Sequence, residues 1–371
     1  MRTNKERLIQ QFTQLIHINS PSLGERQMAD YLTRELTTLG LTVQEDDVGK
    51  QLGGNCGNLY AFLEGESSLP PILLCAHMDT VEPSMGKKAI LEDGVFHSDG
   101  STILGADDCS GIAAILETLR VIQEQNLKHR PIEILFTIAE EIYCKGSKHF
   151  DFSKLHSKEA FVLDYSGPTG VAASKAPTIL FFNVAIHGLA SHAGFAPQMG
   201  IHAIQAASKA IAKLKLGQVD SETTLNIGTV HGGSGNNVIP DLCAVTGEIR
   251  SYSHERALSL AKEVHKQFET SAAEIGAKVE FEESFACRAY EVASNHPIVS
   301  LFENACLKLN VTPVLEKTFG GSDNNVFAEN GITGLVVSSA MYQCHSLNEY
   351  APVNELIQLA ELTQLLVTLE D

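Results

Sequence analysis

Ile72-Leu-Leu-Cys-Ala-His77-Met-Asp79 is the stretch on which the reading of this chain turns. A short, unbroken apolar run suits a strand buried on both faces of a parallel sheet. Two groups able to bind a metal or move a proton, His77 and Asp79, follow directly. Four other places repeat the pattern: Gly105-Ala-Asp107-Asp108, Ala139-Glu140-Glu141, Leu163-Asp164-Tyr165 and Cys344-His345-Ser346. Imidazole and carboxylate are the donors that hold zinc and related divalent ions. In open α/β sheets such groups gather just beyond the strand ends. The five places therefore predict one site at the edge of an α/β sheet.

Working outward, residues 4–16 and 25–39 carry apolar positions at helical spacing, and Gly40 supplies a stop. Strands are expected at Leu41–Val43, Leu59–Leu63, Ile72–Ala76, Ile132–Ile138 and Phe161–Leu163, with a helix at Cys109–Gln123. Alternating strands and helices predict a mostly parallel sheet with helices on both faces. The character changes near residue 178. Ile179–His187, Thr224–Val230, Ala244–Ser251 and Lys278–Phe285 read as strands, and His202–Leu214 and His254–Ile275 as helices. That order, βαββαβ, is the ferredoxin-like one. A helix at Pro297–Leu309 and a strand at Gly334–Ser338 then resume the first pattern. The expected domains are 1–177 and 290–371, forming a catalytic domain, interrupted by 178–289.

The chain has 371 residues, 44% of them apolar, and a formal net charge of −18. That charge speaks against a nucleic-acid partner, which needs basic patches, and against an anionic membrane surface. No apolar run reaches the roughly 18 residues of a membrane span. The start, Met1 to Phe12, reads as an amphipathic helix without the apolar centre of a signal peptide. Eight cysteines without a C-x-x-C pair suit a reducing, cytoplasmic setting.

A pair of divalent ions needs one bridging carboxylate and about two further protein donors on each ion. His77, Asp107 and Asp164 suit one ion; Asp107, Glu141 and His345 suit the other. Asp79, two residues past His77, can fix the imidazole by accepting its second N–H. Glu140 is left beside the ions as a base, able to take a proton from water and pass it to a leaving amine. Each signal alone has a plainer reading. Glu140-Glu141 can be a solvated helix start, His77 a loop histidine and Asp107-Asp108 an N-cap. Their joint occurrence favours the metal site.

The set His77-Met-Asp79-Thr-Val, Gly105-Ala-Asp-Asp-Cys-Ser-Gly111, Glu140-Glu141, Asp164, Ser191-His-Ala-Gly194, Asn237-Val-Ile-Pro240, Arg250 and His345-Ser-x-Asn-Glu349 resembles a known family. The chain looks like the co-catalytic zinc metallopeptidases, which include peptidase T, carboxypeptidase G, aminoacylase and succinyl-diaminopimelate desuccinylase. The resemblance spans nearly the whole chain and is nearest to the peptidase T-like group. It implies His77, Asp107, Glu141, Asp164 and His345 as metal ligands, with Asp107 bridging and a cis Asp107–Asp108 peptide. It implies Glu140 as general base and Asp79 as the residue orienting His77. It implies that the inserted domain is a lid that dimerises, where His192 stabilises the oxyanion across the dimer and Asn237 and Arg250 grip substrate. Gly320-Gly-Ser-Asp323 matches a loop near the substrate, giving Gly321 and Asp323 as contacts. Two departures stand out: Cys109 replaces the usual Lys, and the stretch from Asp79 to Asp107 is shorter than in peptidase T.

The expectation is a cytoplasmic aminopeptidase for short peptides, a homodimer with two divalent ions per subunit. Zinc is the expected metal, with cobalt and manganese able to share the ligands. Alternatives are an N-acyl amino acid amidohydrolase or a dipeptidase with the same site. A catalytically inactive, metal-binding dimeric scaffold is the reading from another class, but a scaffold needs neither Glu140 nor Asp79.

Overall fold

The computed structural model describes residues 3–369, so the outermost two residues at each end of the expected domains lie outside it. The chain divides into two compact units. One comprises residues 3–175, 291–317 and 322–369, and the other 176–290 and 318–321.

The first unit is built on a nine-stranded sheet. Its centre is four parallel strands in the order Ile132–Thr137, Ile72–His77, Glu159–Tyr165, Thr333–Ser338. Leu59–Leu63 and Val171–Ala176 flank this centre antiparallel to it. Every residue of Ile72–His77 and of Ile132–Thr137 is buried, as expected for strands covered on both faces. The one carboxylate in these runs, Glu133, accepts bonds from the Tyr60 hydroxyl and the backbone N–H of His156 and Ser157. Hydrogen bonds thereby meet the cost of burying it.

Helix Ala106–Gln125 packs on strands Ile72–His77 and Glu159–Tyr165. Its regular part begins after Asp108, because Asp107 (φ −82°, ψ 101°) and Asp108 (φ −116°, ψ 33°) are not helical. The Asp107–Asp108 peptide is cis. Asp108 Oδ1 accepts from Gly111 N at 3.0 Å and so caps the turn. Gly111 must lack a side chain: a Cβ there would lie 2.4 Å from the Leu163 carbonyl. That close approach sets the helix start against the strand bearing Asp164.

Three differences from the expected elements have physical causes. The expected strand at Leu41–Val43 begins later, at Val43–Glu45. Helix Arg26–Thr38 closes with Gly40 at φ +76°, Gly40 N on Thr37 O and Leu41 N on Leu36 O, which keeps Leu41 in the helix cap. Helix Val353–Val367 gives no periodic signal, because it packs against helices Lys5–Ile16, Ala106–Gln125 and Pro297–Lys308 and carries no clean polar stripe. Short pieces, among them helix Asp323–Glu329 and the three-stranded sheet of Ile90–Glu92, Val95–His97 and Tyr350–Pro352, are too brief for a periodic signal.

The second unit is a five-stranded antiparallel sheet in the order Gly217–Asp220, Thr223–Gly232, Leu242–Ser251, Thr178–His187, Lys278–Cys287. Helices Ala203–Lys213 and His254–Ala273 pack on it around Leu180, Phe182, Val184, Val264 and Phe268. Its last four strands follow the ferredoxin-like order, with Gly217–Asp220 added as an edge.

Candidate metal centre

The five expected ligands all come from the first unit, and they meet. His77 Nε2 lies 3.0 Å from Asp107 Oδ1 and 3.6 Å from Asp164 Oδ1. His345 Nε2 lies 3.3 Å from Asp107 Oδ2 and 3.0 Å from Glu141 Oε2. The donors form two triplets, His77–Asp107–Asp164 and Asp107–Glu141–His345, each with its atoms within 4.8 Å of one another. Asp107 is common to both and turns one oxygen to each.

These residues fit a pair of cations. Glu141 Oε1 is buried and has no hydrogen-bond partner. Burial, reinforced by Asp164, pushes the Glu140 carboxyl well above the usual range. Burial also raises Asp108 and Glu141 and takes Asp164 to about 7. His345 is lifted to about 11 by its contacts with Asp107 and Glu141. Burial opposes charge on His77, but Asp107, Asp164 and Asp79 together raise it well above the ordinary imidazole value. Crowded carboxylates thus hold protons where divalent cations would relieve the repulsion.

Asp79 organises the centre differently from the simple expectation. The nearest acceptor for His77 Nδ1 is the Asp79 carbonyl oxygen at 2.9 Å; the carboxylate is 3.5 Å away. That carboxylate takes Glu140 N (2.9 Å), Glu141 N (3.2 Å) and Ser22 Oγ (2.6 Å) instead. One residue therefore fixes the imidazole through its backbone and the Glu140-Glu141 turn through its side chain. Glu140 itself accepts from the Cys144 thiol at 3.3 Å.

Residues 73–369 match the model of peptidase family M20/M25/M40. The chain belongs to that family, and it is a peptidase-class hydrolase. It is similar to the crystal structure of aminopeptidase PepT from Bacillus cereus (TM-score 0.93, 37% identity, 98% of each chain covered). It is also similar to a tripeptidase structure from Staphylococcus aureus (TM-score 0.96, 33% identity, 99% of this chain and 98% of that one). The uncharacterized protein YqjE of Bacillus subtilis is 36% identical over 359 residues, 97% of each chain. The peptidase T-like resemblance read from the motifs agrees with these neighbours.

The remaining expected site residues fall elsewhere. Asp323 is 1% exposed. Its Oδ1 accepts from Ser147 Oγ and its Oδ2 from Thr137 Oγ1, both at 2.5 Å. That commits the carboxylate beneath the strand ends, a placement that does not suit direct substrate contact. His192, Asn237, Arg250 and Gly321 lie in the second unit. There Ala193 N bonds the Asn237 carbonyl at 2.9 Å, pairing the His192 and Asn237 segments. His192 Nδ1 accepts from the backbone N–H of Gly194 and Phe195, each at 3.1 Å, so the neutral ring carries its proton on Nε2. Arg250 forks onto Glu248 (3.0 and 3.1 Å) and donates to the Phe319 carbonyl at 2.7 Å. Gly321 is exposed.

Sequence reasoning gave no separate role to Glu25 and Glu349, and nothing in the local pattern marks Glu25. Glu25 Oε1 accepts from Leu23 N (2.8 Å) and Ala139 N (3.0 Å), supporting the turn that leads into Glu140. The eight cysteines are all free thiols. Burial pushes Cys109 to about 12 and raises Cys75 and Cys344, which keeps these thiols protonated and unreactive. Among the described residues no helix is long and apolar enough to cross a membrane.

Proposed function

We propose that this protein is a dinuclear, zinc-dependent aminopeptidase that hydrolyses short peptides. The observation that carries the reading is Asp107, whose two oxygens face two histidine–carboxylate triplets. The aminopeptidase and tripeptidase structures similar over the full chain support the substrate class. His77, Asp107 and Asp164 would hold one ion; Asp107, Glu141 and His345 would hold the other. When bound, such a pair polarises the scissile carbonyl and lowers the pKa of water at the site.

The chain supplies the proton transfers. Glu140 takes a proton from the attacking water as the new C–O bond forms. It returns that proton to the amine nitrogen as the C–N bond breaks, so the carboxylate ends as it began. Cys144 and the Asp79-bonded backbone hold Glu140 in place for both transfers. Asp323, with Thr137 and Ser147, supports the strand ends from below. His192, with its Nε2 proton directed away from its own backbone contacts, donates to the oxyanion across a homodimer. The exposed Leu189, Phe195 and Met199 around it support self-association of the inserted unit. Asn237, Gly321 and Arg250 contact substrate, with Arg250 trading Glu248 for a substrate carboxylate.

Glu140→Gln tests the core of this reading. The variant should keep both ions and lose turnover by about 10²–10⁴-fold. Retained activity in the fully loaded variant defeats the assignment of the base. A panel of free-amine di- and tripeptides against N-acetyl and N-succinyl amino acids separates peptidase from amidohydrolase.

A further inference from the structure

His345 sits in an irregular loop that is held from outside at its two ends. The loop runs from Ala340 to Glu349, and Ala340, Gln343 and His345 take left-handed φ values of 56°, 52° and 61°. Such conformations persist in non-glycine residues only where surrounding contacts over-determine them. Much of the loop's bonding is local. Ser346 Oγ donates to the Gln343 carbonyl, Glu349 N to the Ser346 carbonyl, and Tyr342 and Tyr350 exchange backbone bonds. From outside, Gly167 N and Ser166 Oγ donate to the Met341 carbonyl, each at 3.0 Å, and the Tyr342 hydroxyl donates to Glu355 at 2.5 Å, so the loop's entry is held ahead of His345. Past His345, Ser98 Oγ donates to the Leu347 carbonyl at 3.2 Å.

Glu349 holds the loop's exit. It is 1% exposed, and its carboxylate bridges to the segment carrying the shared ligand: Oε2 accepts from Gly105 N at 2.6 Å and Oε1 from Asp107 N at 3.0 Å. Both bonds strengthen when the carboxylate is ionised. The Asp107 side of this tie is fixed independently. Asp108 takes the N–H of His77 at 3.2 Å and that of Gly111 at 3.0 Å, so the segment is pinned to a central strand and to a helix. Cutting the tie therefore loosens the half of the loop that follows His345 while leaving Asp107 where it is.

We infer that Glu349 is a positioning residue for the second metal position: it clamps the His345 loop to the Asp107 segment and sets the span between those two ligands. The inference rests on the two-ion reading of the site.

Zinc stoichiometry and affinity of Glu349→Gln, measured by competitive chelator titration on the full chain, test it. The glutamine is isosteric, but its amide nitrogen cannot accept, so one N–H loses its partner. One zinc should bind as in the unaltered protein and the second at least about tenfold more weakly, with circular dichroism and melting temperature preserved. Glu349→Gln added to His345→Ala should leave the remaining zinc unchanged, because the loop's contribution is already gone. Wild-type affinity for both ions in Glu349→Gln overturns the inference, and so does equal weakening of both. Should Glu349→Gln fail to fold, Ser98→Ala provides the same readout through the bond to Leu347 past His345, with a smaller loss confined to the second ion. A parent protein that binds fewer than two ions sinks the two-ion reading itself, which separates the two failures.

Discussion

The two halves of the metal centre are built on different foundations. The His77–Asp107–Asp164 half stands on the sheet: His77 ends a fully buried strand, Asp164 lies in the neighbouring one, and the His77 side chain is 1% exposed. The Asp107–Glu141–His345 half stands on loops, and the His345 side chain is 54% exposed. At strand ends the sheet's hydrogen bonds and packing fix the backbone that bears the ligand, and the Asp79 carbonyl two residues on takes His77 Nδ1. Loop ligands need anchors, and the structure provides buried carboxylates for the purpose: Asp79 for the Glu140-Glu141 turn, Glu25 for its approach, Glu349 for the His345 loop. A centre of this kind should hold one ion firmly and the other conditionally.

The largest effect comes from the residue both halves share. Asp107→Asn should bind neither ion tightly and lose turnover by more than about 10³-fold, the scale on which a catalytic unit fails as a whole; metal analysis beside a tripeptide assay checks it. The contrast between halves is sharpest in the two histidines. His345→Ala should retain one tightly bound zinc, whereas His77→Ala should retain none. Identical stoichiometry and affinity in the two variants would erase the distinction. Asp79→Asn weakens the carboxylate that supports Glu140 and Glu141. It should cost about 10–100-fold in activity, as loss of a partner behind a metal ligand typically does.

Protonation gives a subtler check. Without metal Asp164 titrates near 7 and His345 near 11, and both must shed protons to bind zinc. Affinity should therefore fall as pH drops below about 11, more steeply below about 7, and calorimetry in buffers of different ionisation enthalpy should record proton release. Pure affinity without proton release would mean that the ligands are already deprotonated. The smallest effect is expected from Cys144→Ala, which removes a weak S–H donor from Glu140. It should lower kcat by less than about tenfold and leave KM and metal content alone, with Cys144→Ser restoring much of the loss.

The same division explains what the sequence could and could not disclose. Ile72–His77 and Ile132–Thr137 announced themselves because a doubly covered strand is an unbroken apolar run, and the polar residues that end such runs were the ligands. His345 was legible through its motif, but its loop has no periodicity from which the clamp by Glu349 could be read. The Asp79 network is legible only in part for a similar reason. Residue types and spacing do not reveal that the carbonyl takes His77 Nδ1 while the carboxylate turns to two backbone N–H groups. Asp323 matched a substrate loop by position and proved to be a buried brace, because its partners Thr137 and Ser147 are distant in sequence. Helix Val353–Val367 shows the same limit in the fold: surrounded by other helices, it has no amphipathic stripe to display.

Anomalous diffraction at the zinc edge, on crystals of the metal-loaded protein, addresses the central claim most directly. Two peaks are expected, one within bonding distance of His77, Asp164 and one Asp107 oxygen, the other within reach of Glu141, His345 and the second Asp107 oxygen. A single peak, or a pair that does not share Asp107, contradicts the account.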